Sequence, residues 1–496
     1  MMPLRLQTWL LSHLSASVSP RRLFPVFGVI VFVYFVIYLL WTTPASHKAL
    51  MHQRSHADQH WKLTGQKNYS LNNADKLDVL PEEQFAAHWR GVWVPERNIQ
   101  VMSAIRDIHH GLSTGEDEEM RLVLPAFLQH SSDRNFFCCL HWSDDWREFI
   151  QVPARLDYID LRYVVELQAA TFACIVKRGE VKDFSRLKHV SFTADSCSSN
   201  PTLPMGILTP MRRQFEFAVC TKVAYGRLDP QRLLEWFIFM ELMGASKVLT
   251  FHNNVHNDTM QVFKFFENKG FLELIKFDPR NKGDKSVSFM EQNAQTRQAR
   301  HDKTLVVRDC QYRLGGYDFV MAIDFDELPV PRRPFRTINW VLQSLSRNLS
   351  DAAAFRLDPY LLPPDAQTRK DPLLYHWQFT KGTTIAPYCY KWVFAPARAW
   401  MAATHELFPK EKYKTYVIPD EYLHFLHFRS CKSEWHKINC SELSNKLRTE
   451  DSLMRFMDRV VYKLRKLPLK DLLPPSVAHS YIQAIKDDRR GTESYQ

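Results

Sequence analysis

Asp324 and Asp326, with one phenylalanine between them and Glu327 directly after, gather three carboxylates into a single short stretch. They close the run from Tyr317 to Pro329, in which five consecutive apolar residues, Phe319 to Ile323, are too few for a globular helix and predict a buried strand. Strand side chains alternate faces, so this reading puts Asp324 and Asp326 on one side and Phe325 in the core, with Pro329 ending the strand. Two like charges at the end of a buried strand repel unless a cation lies between them. Mn²⁺ or Mg²⁺ bound by one or two carboxylates and by substrate phosphates relieves that repulsion.

The surrounding chain supplies elements that would position such a site. Phe215–Cys220 predicts a strand, and Asp229-Pro230 offers an N-cap and a first-turn proline to a helix carrying Leu233, Leu234, Phe237 and Met240 as far as Gly244. A strand over Lys247–His252, a helix over Asp258–Asn268, a strand over Leu272–Phe277 and a helix around Thr296–Arg313 lead into the acidic stretch. This alternation predicts an α/β fold whose wound, mostly parallel sheet is flanked by helices and binds ligands beyond the carboxyl ends of its strands. Residues 86–210 differ. Short apolar runs such as Phe136-Phe137-Cys138-Cys139-Leu140, set between polar turns, predict a smaller β-rich module that ends in a proline- and serine-containing linker.

The chain has 496 residues, 45% of them hydrophobic and 24% charged, with a formal charge of +11. Its basic residues form no long run, which argues against a nucleic-acid partner and suits an anionic small substrate such as a nucleotide diphosphate. Residues 23–41 are uncharged and almost wholly apolar, follow Arg5, Arg21 and Arg22, and are long enough to cross a bilayer. The run is too long and bulky for a cleaved signal peptide, so it predicts a single transmembrane signal anchor with residues 1–22 cytoplasmic and the rest lumenal. Residues 42–85 are polar and read as a stem. A lumenal location makes Asn68, Asn257, Asn348 and Asn439 glycosylation acceptors by their Asn-x-Ser/Thr context. Nine cysteines leave at least one thiol unpaired within the chain, which raises a disulfide-linked homodimer beside a non-covalent one.

Several landmarks in order resemble glycosyltransferase family 92, a group of single-pass Golgi enzymes whose known members transfer galactose. Phe217-Ala218-Val219-Cys220, Leu228-Asp229-Pro230, Asp309-Cys310-Gln311-Tyr312-Arg313, Ile323-Asp324-Phe325-Asp326-Glu327, Lys391-Trp392-Val393, Thr404-His405-Glu406 and Leu426-His427-Phe428-Arg429 all look like that family's segments. Leu328 and Phe428 stand where the family carries an aromatic and a tyrosine. The resemblance implies a GT-A-like catalytic domain over 211–470, with 471–496 as a carboxyl-terminal tail, in a type II Golgi membrane protein. The implied reaction is galactosyl transfer from a UDP-sugar donor, with inversion and a β-1,4 linkage, to a glycan acceptor on a glycoprotein or glycolipid.

On that reading Asp326 is the direct metal ligand, while Asp324 shares the ion or accepts from ribose hydroxyls. His427 is the distal third ligand and His424 a neighbour out of phase with it. Lys391 and Arg429 would neutralise phosphate. An inverting transfer also needs a base, for which Glu406, Glu421, Asp420 and Glu327 are eligible by type; Glu406 is favoured because it adjoins His405. Two other readings compete: a catalytically inactive nucleotide-sugar- or glycan-binding scaffold, and a phosphoester hydrolase. The hydrolase would need a denser His/Asp cluster for two metals.

Overall fold

The computed structural model describes residues 92–94 and 99–487, except 111–118, 130–135, 143–147, 162–166, 178–180, 182–183, 195, 198–203, 278–288, 364–373, 384–389 and 430–446; 289–300 are described as helical backbone alone. All of these lie in one compact unit, Glu82–Gln496. The expected anchor at 23–41, the stem and two of the four acceptor asparagines, Asn68 and Asn439, lie outside the described residues. Among the described residues no helix is long and apolar enough to cross a membrane. Asn257 opens a helix, Asn348 ends another, and both are exposed.

The first part of the unit is a nine-stranded sheet: β1 Val92–Val94, β2 Ile99–Val101, β3 Ala104–Arg106, β4 Glu119–Gln129, β5 Phe136–His141, β6 Phe149–Ile159, β7 Leu167–Lys177, β8 His189–Thr193 and β9 Met205–Leu208. β4 pairs with β2 and β3 along one edge and with β7 along its whole length on the other. The sheet therefore closes on itself, which removes the exposed edges that an open sheet must protect. Its core holds Leu122, Leu124, Phe136, Phe172 and Phe192. Cys138–Cys174 and Cys139–Cys197 are disulfides within this part.

The second part is a seven-stranded mixed sheet. Its strands are β10 Arg213–Gly226, β11 Ala245–Val255, β12 Leu272–Lys276, β13 Tyr317–Ala322, β15 Ala352–Leu357, β18 Lys391–Phe394 and β21 Lys414–Val417, in the order β12-β11-β10-β13-β18-β15-β21. β12, β11, β10 and β13 run parallel, and β18 is antiparallel to both of its neighbours. Helices α1 Pro230–Leu242, α2 Asn257–Asn268 and α3 Phe289–Arg313 make the crossovers. Asp229 caps α1 by accepting from the Gln231 and Arg232 amides, and Gly244, at φ 86°, takes the left-handed turn beyond its end. From β10 the chain winds first towards β11 and later, through α3, to the other side at β13. The order thus reverses between β10 and β13, the place where wound sheets open a crevice for ligands.

A three-stranded sheet adjoins this one. In it β14 Glu327–Pro331 and β16 Pro359–Leu361 flank β22 Leu423–His427. Further hairpins are β19 Ala399–Ala402 with β20 Leu407–Pro409, and β17 Lys381–Gly382 with β23 Arg448–Thr449. Helix α4 Ile338–Asn348 follows β14, and α5 Met457–Leu464, α6 Leu469–Leu472 and α7 Pro475–Asp487 end the described chain.

Three expectations need correction here, the first being the linker that ends the β-rich module, within which β9 pairs with β3 and β8 as part of the closed sheet. The acidic residues do not prolong a strand: β13 stops at Ala322, Asp324 to Asp326 form a turn, and a new strand starts at Glu327. Pro329 lies inside β14, which tolerates it because β14 is an edge strand with only β22 beside it. Residues 471–487 are also no tail. Ala478, Tyr481 and Ile485 of α7 are buried in the main core, and Tyr481 donates to Glu235 in α1 at 3.4 Å.

α3 joins the two parts of the unit. Ser103 donates to Asp309, the Ala169 amide donates to His301 Nδ1 at 3.2 Å, and Arg308 donates to Thr171 at 3.3 Å. On its other side Cys310 is disulfide-bonded to Cys220 of β10, closing a loop of 90 residues. A loop of that size restricts the unfolded chain by about 4–5 kcal/mol on the chain-entropy picture. The Cys220→Ser/Cys310→Ser double variant is therefore expected to lose stability of that order, read as a lower midpoint in guanidinium titration.

Candidate active site

The site forms where the β10–β13 crevice opens. β10 carries Val219-Cys220-Thr221-Lys222-Val223-Ala224, and its register with β11 slips between Cys220 and Val223. Lys222 sits at that bulge with φ 64°, a left-handed conformation that side chains with a Cβ rarely adopt. It is fully buried, and its ammonium donates to Asp324 Oδ2 at 2.8 Å. From the far side of the crevice Lys391 of β18, also buried, donates to the same oxygen at 3.0 Å and to Glu327 Oε1. Glu327 in turn accepts from the Asp324 amide at 2.7 Å through Oε2.

These contacts fix the turn as a unit. Phe325, between the two aspartates, packs edge-on against Trp236 at 4.8 Å and near Phe237 and Phe263. Trp236 donates through Nε1 to the Glu327 carbonyl at 2.9 Å, and the Phe428 amide donates to the Asp326 carbonyl at 2.8 Å. The aspartates are thus turned outward around an aromatic anchor.

Burial alone would raise the Asp324 carboxyl, but the Lys222 and Lys391 ammoniums outweigh it and hold the group well below the usual carboxylate range. For Lys222 burial wins, and despite Asp324 its ammonium is pushed down to about 8. For Lys391 the balance reverses: burial is overcome by Asp324 and Glu327, and it is raised. Asp326 is lowered; burial opposes this, and the hydrogen bond with His427 overcomes it.

Asp326, Glu327 and His427 form a group whose ligand atoms all lie within 4.8 Å of one another. His427 Nε2 is 3.3 Å from Asp326 Oδ2, and Nδ1 is 3.8 Å from Glu327 Oε1. β22 delivers His427 beside Glu327 through the β14–β22 register. The donor set, one partly exposed carboxylate and one imidazole beside a second carboxylate, suits a divalent cation. Asp324, expected to share the ion, is not in this group, and its Oδ2 accepts from both ammoniums. Glu327, eligible as a base by type, is fully buried and bound to Lys391 and the Asp324 amide. Lys391, expected on phosphate, is committed to the turn. Arg429 is half-buried two residues past His427.

The eligible bases also separate. Asp420 and Glu421 lie in the turn before β22, at the end of that strand away from His427, and Asp420 accepts from Tyr360 at 2.7 Å. Glu406 is half-buried in the β19–β20 turn beside His405, whose Nδ1 donates to the Tyr390 carbonyl at 2.7 Å. Burial first, then the ammoniums of Lys391 and Lys222, lower His405 and keep it neutral, and its bond to Tyr390 ties this turn to the residue before Lys391. His424 is paired with Glu450 at 2.8 Å, away from the group. Sequence reading missed Lys222; its signal was a lysine interrupting an otherwise apolar strand.

The sequence profile of glycosyltransferase family 92 matches residues 215–464. The chain belongs to glycosyltransferase family 92. The matched segment begins in β10 and ends with α5, so it contains Lys222, the acidic turn, Lys391, Glu406 and His427 of this family 92 chain. No curated relative matches the chain significantly. Among solved structures it is similar to Staphylococcus aureus TarS 1-349 in complex with UDP-GlcNAc (9% identity over 55% of this chain and 71% of that one, TM-score 0.25). It is also similar to mannosyltransferase PcManGT from Pyrobaculum calidifontis in complex with GDP-Man and Mn²⁺ (10% identity, 55% and 75%, TM-score 0.23). At such scores nothing further rests on these likenesses.

The two lysines are expected to differ in consequence. Lys391→Met leaves the fully buried Glu327 without its cation and should cost about 3–5 kcal/mol in urea titration, the range for breaking a buried pair. Lys222→Met removes an ammonium whose burial is only partly offset and should cost clearly less. The pH dependence follows from Asp324. Its folded value lies below the unfolded one near 4, so its ion pairs stabilise the fold fully above that pH and the contribution is lost as pH falls towards the folded value. The stability difference between the native chain and Asp324→Asn should therefore hold at pH 6 and narrow as pH falls below about 4.

Proposed function

We propose that this family 92 chain transfers galactose from UDP-galactose to a glycan acceptor on a glycoprotein or glycolipid. The transfer is metal-dependent, inverting and forms a β-1,4 linkage, in the Golgi lumen, with the protein held by the apolar run at 23–41 as a type II anchor. The observation that carries the reading is the Asp326–His427 pair at the β10–β13 switch point. Bound there, Mn²⁺ (or Mg²⁺) supplies Lewis-acid stabilisation of the charge that builds on the departing diphosphate.

The chain's own residues do the rest. Asp326 and His427 would hold the cation, with the Glu327 carboxylate beside them. Asp324, kept ionised by Lys222 and Lys391, points its remaining oxygen at the donor and accepts from its hydroxyls. Glu406, the eligible base in the turn tied to the residue before Lys391, takes the proton from the acceptor hydroxyl. Neutral His405 adds no competing positive charge beside it.

The test uses the full chain in neutral detergent with a panel of UDP-hexoses, Mn²⁺ and neutral glycan acceptors. Transfer from UDP-galactose is expected, and chelation, Asp326→Ala and His427→Ala should each lower it by about 100-fold or more, as loss of a charge-stabilising contact does. Undiminished transfer in chelator, or by Asp326→Ala, would remove the metal role. UDP binding without transfer from any donor would point to the scaffold reading instead.

A further inference from the structure

A second polar cavity lies away from the acidic turn, at the seam where the closed sheet meets α3 and the β19–β20 hairpin. Asp107, His109, Arg121, Tyr312, Trp400 and Lys410 are among its lining residues. Two of them carry buried polar atoms that have no hydrogen-bond partner: His109 Nδ1 and Arg121 Nε. Unmet buried polar atoms are costly, and each needs an occupant to explain it.

The chemistry of that occupant can be read from the atoms. His109 Nε2 faces the Gly315 carbonyl at 2.6 Å, and a carbonyl only accepts, so Nε2 carries the hydrogen. Burial lowers His109 and keeps the ring neutral, which leaves Nδ1 as an acceptor. Arg121 uses Nη1 on Asp107 at 2.8 Å and Nη2 on Asp157, so its Nε–H is a donor left over. A single hydroxyl can serve both atoms, donating to Nδ1 and accepting from the Nε–H. A carboxylate or sulfate oxygen has no hydrogen to give Nδ1, so the two atoms favour a neutral group over an anionic one.

Beside this polar recess stands an aromatic platform. Trp400 is 47% exposed and has the equally exposed Phe408 edge-on to it at 6.2 Å. Its backbone is fixed from below: Arg308 donates to the Trp400 carbonyl at 3.0 Å, and Gln311 bonds both the Ala399 carbonyl and the Ala402 amide. An exposed indole held rigidly next to a hydroxyl-sized recess matches a sugar ring, which offers one C–H face to stack and hydroxyls to bond. The same hairpin ends at His405 and Glu406, on the order of 15 Å further along an extended chain.

We propose that this seam is a carbohydrate-binding subsite for a neutral pyranose residue of a glycan, with the ring stacked on Trp400 and one hydroxyl seated between His109 Nδ1 and Arg121 Nε. As a part of the acceptor it would hold a unit remote from the one that reacts, and to that extent it rests on the transfer reading. The test is direct binding of the full chain in neutral detergent to fluorescent oligosaccharides of neutral and of sialylated or sulfated composition, without donor or metal. A neutral glycan is expected to bind. Trp400→Ala should weaken it by about tenfold or more, as loss of a stacking platform does, Trp400→Phe should retain most of it, His109→Phe should weaken it, and Asp326→Ala should leave it unchanged. Equal binding by Trp400→Ala, loss of binding in Asp326→Ala, or binding of anionic glycans alone would each overturn the proposal. Because no transfer is read, failure of galactosyl transfer and failure of this subsite are distinguishable.

Discussion

One carboxylate between two buried ammoniums governs the arrangement of this molecule. Asp324 Oδ2 receives Lys222 from one side of the crevice and Lys391 from the other. A lysine taken out of water is costly unless a counter-charge accompanies it. Each ammonium therefore requires the acidic turn to be where it is, and the turn, with three acids among four residues, requires the ammoniums. Neither side of the crevice is electrostatically acceptable without the other. The division of labour follows: the acid closest to the lysines is bound into the turn, and the one beside His427 stays partly exposed.

The fold makes this placement possible through two local irregularities. The bulge in β10 swings Lys222 inward at the point where the sheet changes winding direction. A two-sided parallel strand with unbroken register would alternate its residues between helix-covered faces and could not aim a lysine along the crevice. The break between β13 and β14 does the complementary job. It frees Asp324 and Asp326 from strand alternation and lets Phe325 drop into the aromatic core, while β14 continues as an edge strand able to hold two prolines and bring Glu327 opposite His427.

Much of this was legible in the sequence, and what was missed has physical causes. The strand–helix alternation from β10 to β13 followed from apolar period and capping residues, with ends displaced by a few positions. The DxD pair and His427 could be found because carboxylates at the end of an apolar run, and a histidine in a second apolar run, are local signals. The turn itself was misread as strand because Ile323 and Phe325 extend the apolar pattern, although the chain has already left the sheet. Lys222 escaped notice since one lysine in a strand usually marks an edge, and only tertiary pairing shows that it is buried. Lys391 was noticed but given to phosphate, since its partners lie 67 and 64 residues away. The inward packing of α7 rests on Ala478, Tyr481 and Ile485, and Tyr481 meets Glu235, a buried acid on α1 that no short-range pattern announces.

α3 has a consequence of another kind. From His301 onward it has hardly any water to face: Thr304, Arg308, Asp309 and Gln311 are all buried, and the partners of the last three are divided between the closed sheet and the β19–β20 hairpin. Such a helix cannot lose one neighbour and remain soluble on that side, because each departure would strand a charge or an amide in an apolar setting. The two sheets are accordingly one cooperative body rather than an enzyme with an appendage. Unfolding should cross both in a single step, and over evolutionary time changes on the barrel's outer face and on α3 are bound to be accepted or rejected together.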